Sequence, residues 1–126
     1  MPLRALTHIP RLAAAAAALL TMTSCATAPA PGALVVGQQA TIEGKVVSVD
    51  TDPWAYDGNA VVAVSTANGA TVRVQLPARW NLCKAPPPGD VQALKPGDRV
   101  EAAGTVSAPG ELVVCEQPQH RLRKVP

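Results

Sequence analysis

Phenylalanine is absent from the 126 residues, and the aromatic side chains amount to two Trp and one Tyr. A core built on aromatic rings is therefore excluded, and Val, Leu, Ile and Ala must fill it at a smaller buried area per residue. Histidine is nearly missing as well, with only His8 and His120. The chain contains no G-x-S-x-G elbow, no H-E-x-x-H helix motif and no glycine loop of the phosphate-cradling type. Triad hydrolases, zinc proteases of that class and P-loop enzymes are not expected, nor is a cofactor. The longest apolar stretch, Leu12–Met22, makes a helix of about 16 Å, roughly half the hydrocarbon core of a bilayer, so a permanent membrane span is not expected either.

That stretch is nonetheless the most informative in the chain. Arg4 and Arg11 precede it, which is the layout of an export signal. It ends in Met22-Thr23-Ser24-Cys25, which resembles the lipobox of bacterial lipoproteins, where small residues precede a cysteine that is lipidated and becomes the first residue. The resemblance covers residues 1–25 and implies a signal peptide over 1–24, a lipid on Cys25, and a location in the bacterial cell envelope, at the outer membrane facing the periplasm. Ala26-Thr27-Ala28 is a competing site for ordinary signal cleavage. Either way Arg4 and Arg11 leave with the signal. Basic and acidic side chains are then equal in number, and no general attraction to nucleic acid follows.

Three cysteines are an odd number for an exported chain. If Cys25 carries lipid, Cys83 and Cys115 remain as a pair in a compartment that permits disulfides. On the chain-entropy model such a bridge stabilises the fold by about 3–4 kcal/mol, a large share for a domain of this size. A Cys83, Cys115 and His120 metal set is the competing use of the same thiolates, and a disulfide consumes it, so no metal is expected. Both thiols reduced and buried is the third possibility.

Residues 25–36 form an Ala/Pro-rich tether, and residues 37–117 carry β-pattern. In Gln39–Asp50, Ile42, Gly44 and Val46 share one face, after which Val47 and Val49 are the apolar positions. Alternation with period two changes phase only through an extra residue, so a β-bulge or sharp bend is expected near Val46-Val47, with Gly44 leaving room for a close approach. Ala60–Thr66 and Ala70–Leu76 flank Ala67-Asn68-Gly69. A three-residue loop with Gly69 left-handed sets Val64 opposite Val72 and Val62 opposite Val74, which gathers the valines and Leu76 on one face. Pro77–Lys84 suits a short helical turn, and Asp90 suits the cap of another over Val91–Leu94. Arg99–Val106 and Glu111–Glu116 read as further strands. Gly37, Gly44 and Val46 recur as Gly97, Gly104 and Val106 at the same spacing. Residues 118–126 read as a solvated basic tail.

Five strands with a short helical connection between the third and fourth resemble the OB-fold, a small Greek-key barrel; an SH3-like barrel or small β-sandwich is the alternative. The whole chain resembles small envelope lipoproteins of that architecture. Ligands of OB-folds meet the outer face of strands two and three and the loop after strand one. Here that loop holds Asp50, Asp52, Trp54, Tyr56 and Asp57, and the outer face offers Arg73 as its charged member. The aromatics either stack on a ligand or fold back as a lid over a core poor in rings, while the three carboxylates lack the spacing of a calcium loop. The expected function is a membrane-tethered, non-enzymatic binding or adaptor module recognising a protein, peptide or glycan. The alternative is a structural envelope protein without a small ligand.

Overall fold

The computed structural model describes residues 33–126. The signal peptide, Cys25 and most of the tether lie outside them. Six strands make one sheet: β1 (Gln39–Asp50), β2 (Ala60–Thr66), β3 (Thr71–Leu76), β4 (Arg99–Ala108), β5 (Glu111–Val113) and β6 (Arg121–Lys124). Their order is β1-β2-β3-β5-β4-β6, with β1 also paired to β4. The first five therefore close into a barrel, and β6 lies outside the ring. Every pairing is antiparallel except β3 with β5, which run parallel. This mixed five-stranded closure is that of a small OB-fold-like barrel.

The valine periodicity explains the hairpin. Val62 faces Val74 and Val64 faces Val72 across β2 and β3, all four buried, and Gly69 closes the loop with a φ of 83°. These pair with Ile42, Val46, Val100, Val106, Leu112, Val114 and Leu122 to form a core with no fully buried aromatic. In β1 the register shifts between Val46 and Ser48, which identifies Val47 as the bulged residue. The expected bulge is present, but Val47 itself points outward, half exposed, and only Val49 turns back toward the core. A Cβ on Gly44 would lie 2.2 Å from the Ser65 carbonyl oxygen, so the bent strand needs the missing side chain.

The sequence echo has a structural counterpart. A Cβ on Gly104 would likewise collide with the Val113 carbonyl oxygen, and β4 shifts register between Val106 and Ala108. Gly37 donates to the Val106 carbonyl and Gly97 to the Val46 carbonyl, each at 2.8 Å. β1 and β4 thus form a ribbon with pseudo-twofold symmetry, each strand bulged three residues beyond its glycine.

Three expectations are corrected. The connection between β3 and β4 holds 3₁₀ turns at Trp80–Leu82 and Val91–Ala93; the first starts beyond Pro77, whereas the second is capped by Asp90 as expected. The fifth strand ends at Val113, because the chain leaves the ladder to bring Cys115 to Cys83, and the two cysteines are bonded. Residues 118–126 are not a solvated tail: Arg121–Lys124 pairs with β4, and His120 is buried to 1% exposure.

Candidate functional site

The loop between β1 and β2 is built by short-range bonds. The Asp50 carboxylate accepts from the Asp52 amide at 3.0 Å, and Pro53 stands in the first turn of the 3₁₀ segment Asp52–Tyr56. The Gly58 amide closes on the Pro53 carbonyl at 2.8 Å after Asp57 takes a left-handed φ of 60°. Trp54 folds back: its indole N–H donates to the Leu76 carbonyl at 2.9 Å, and its ring packs on the core. It is partly buried against the core, as an aromatic-poor interior favours.

Tyr56 does the opposite. It is 87% exposed on the same ordered turn. Beside it Asp57 receives Arg79 through two contacts, Nη2 to Oδ2 at 2.7 Å and Nε to Oδ1 at 3.3 Å, tying the loop to the β3–β4 connection. Both side chains of this pair are mostly solvated, so its worth is about 0.2–1 kcal/mol and its effect is chiefly on position. Three residues beyond Arg79 stands Leu82, 72% exposed at the end of the next 3₁₀ turn. Sequence reasoning missed Leu82. It sits in no apolar period of the sequence.

Asn59 Nδ2 donates to Gln75 Oε1 at 2.9 Å and joins the loop to the outer face of β2 and β3. Val61, Ala63, Arg73 and Gln75 occupy that face, since their neighbours Val62, Val64, Val72 and Val74 point inward. Arg73 is three ladder positions from Leu76, about 10 Å, and its guanidinium is held by Glu111 at 2.7 Å. The fold therefore brings Trp54, Tyr56, Asp57 and Arg79 together, keeps Asp50 and Asp52 at the loop base, and leaves Arg73 on the face beyond it. A groove of about 530 Å³ is lined by Val47, Val49 and Thr51 from β1 and its loop and by Leu94 and Pro96 from the β3–β4 connection. The outward Val47 of the bulge forms part of its wall.

Among the described residues no three His, Cys, Asp or Glu side chains converge as metal ligands. His120 Nδ1 accepts from the amides of Cys115 and Gln117 at 3.4 and 3.3 Å, and burial holds its pKa below the ordinary 6.5 against the opposing pull of Glu116. No helix of the described residues is long and apolar enough to cross a membrane. Comparison with models of known protein families gives no match, and comparison with curated proteins gives none.

Proposed function

We propose that the chain is a membrane-tethered, non-enzymatic binding or adaptor module of a bacterial cell envelope, anchored through a lipid on Cys25. It recognises a protein, peptide or glycan through the loop after β1 and the adjoining outer face of β2 and β3. The observation that carries this reading is Tyr56. A large ring left in water forgoes roughly 1.5–3 kcal/mol of burial, yet here it is presented on a turn fixed by Pro53, by the Trp54 bond to Leu76 and by Arg79 on Asp57. A rigid exposed aromatic loses little entropy on contact and stacks on sugars and peptides alike. The neighbouring Asp57 carboxylate, mostly solvated, adds hydrogen-bonding character beside the ring. The tether reading is supported by the charged start of the signal, by Met22–Cys25, and by the pairing of the other two cysteines.

The test uses soluble peptidoglycan fragments and a panel of extended peptides against the full exported chain and its Tyr56→Ala variant. Saturable binding that weakens at least tenfold in the variant, about 1.4 kcal/mol, with the melting temperature retained, is the expected result. Equal binding by both proteins would remove Tyr56 from the site. No saturable binding across the panel would sink the small-ligand reading.

A further inference from the structure

The barrel is closed, but β6 has a free edge. Val125 donates to the Arg99 carbonyl at 2.9 Å, and the ladder sets Arg123 opposite Glu101 and Arg121 opposite Ala103. In an antiparallel ladder alternate residues bond to alternate sides, so the peptide groups of Leu122 and Lys124 point away from β4. No group of the described residues bonds to them. Leu122 is only 5% exposed because its side chain packs in the core, while its peptide group lies at the edge of the sheet. Leu122, Arg123 and Lys124 line a cleft of about 250 Å³ together with residues of the 3₁₀ turn Val91–Ala93 and Leu94, so that Val91, Leu94 and Leu122 are its larger apolar lining.

Charge selects among possible occupants. Arg121 and Arg123 share the single carboxylate of Glu101, which leaves an unbalanced cation on the outward face of the edge. Lys124 adds another cation, set 3.5 Å from Asp98. Asp90, on the far wall, is turned onto the Ala93 amide. A second copy of β6 would bring Arg121, Arg123 and Lys124 against the same cations, an arrangement that blocks edge-to-edge pairing.

We infer that β6 is a docking edge for an extended acidic peptide segment of a partner protein, added as one more strand beside Leu122 and Lys124. Side chains of an added strand alternate between faces. One apolar residue of the segment enters the cleft over Val91, Leu94 and Leu122, and its two neighbours, Asp or Glu, meet Arg121 and Arg123. This surface is separate from the Tyr56 loop, so the two readings stand or fall on different residues.

A capped nine-residue synthetic peptide whose centre alternates Glu and Leu is the probe, with its Lys-for-Glu counterpart as control. Titrated into the full folded domain, the acidic peptide should shift the Leu122 and Lys124 amide resonances and slow their hydrogen exchange. The lysine peptide should bind at least tenfold more weakly. Lys124→Pro removes a donor that points outward while leaving the bonds of Arg121, Arg123 and Val125 to β4, so the fold should persist and binding should be lost. Arg123→Glu tests the edge without proline and should reverse the preference between the two peptides. Unchanged binding in both variants, no saturation at about 1 mM acidic peptide, or shifts confined to residues 51–59 would overturn the proposal.

Discussion

His120 ends the crossing from β5 to β6 with its imidazole inside the protein. Two backbone amides donate to Nδ1, which places the ring proton on Nε2, and Nε2 has no partner among the described residues. Burial disfavours the charged ring and outweighs the opposing pull of Glu116, so the folded pKa lies below 6.5. The unfolded chain therefore binds the proton first as pH falls. Stability is level above about pH 6.5 and declines below it until the folded ring also titrates. Glu101, held down first by Arg121, and Asp98, held down first by the Lys95 amide, titrate below their ordinary 4.5 and 3.8, and they add a second loss under more acidic conditions. Urea unfolding from pH 8 to 5 should show the first decline in the native chain and little of it in His120→Gln, which is less stable throughout but has no ring to titrate. Equal slopes in the two proteins would remove His120 from the pH response. Nothing around this residue in sequence announces its burial: Pro118-Gln119 precedes it and a charged run follows, and a single histidine carries no period.

At the level of elements, legibility followed hydrophobic period. The hairpin register could be read because only one loop length puts Val62, Val64, Val72 and Val74 on a common face. The bulge could be read because a phase change in β1 requires an extra residue. β6 could not, since Arg121-Leu122-Arg123-Lys124 contains one apolar side chain and owes its strand state to β4, a tertiary contact that propensity does not encode. The loop after β1 was legible as a place for Trp54, Tyr56 and Asp57, but which ring would pack depended on the reach of an indole to Leu76. The exposure of Leu82 became visible only in the structure. The β3–β4 connection, with little regular structure, is tied down by the bond from Cys83 to Cys115 and by the Lys84 and Ala85 amides on the Cys115 carbonyl, both at 3.0 Å. The bridged residues are 32 apart in sequence, so replacing both by Ser should cost about 3–4 kcal/mol on the chain-entropy model. The denaturant slope should rise at the same time, because the unfolded chain without a cross-link exposes more surface. Urea titration of the double variant measures both quantities. A loss under about 1 kcal/mol would mean that packing, not the bridge, holds the connection.

On the scale of the whole molecule, the repeated glycine, strand and bulge of β1 and β4 let a core without phenylalanine close on itself, because close backbone approach at Gly44 and Gly104 draws the ring tight. Charge is divided over that ring. Asp50, Asp52 and Asp57 gather at the loop after β1, and Lys45, Arg99, Arg121 and Arg123 lie along β1, β4 and β6, partly offset by Glu43 and Glu101. Such a basic face can itself hold a protein to anionic lipid, so membrane association alone does not establish an anchor. Salt separates the causes: at about 1 M the screening length falls to about 3 Å, whereas attached acyl chains hold by burial, at about 0.8 kcal/mol for each methylene. The proposed lipid on Cys25 predicts that the native chain stays with sedimented membranes through a high-salt wash and that Cys25→Ser moves to the soluble fraction. Mass spectrometry supplies the second arm. A mature chain starting at Cys25 and heavier than its sequence by acyl groups is the expected species. One starting at Pro29, soluble in both backgrounds, would show that Ala26-Thr27-Ala28 is the cleavage site and that Cys25 departs with the signal. The bond between Cys83 and Cys115 would stand unchanged in that case, so the barrel's stability and its manner of attachment can be tested independently.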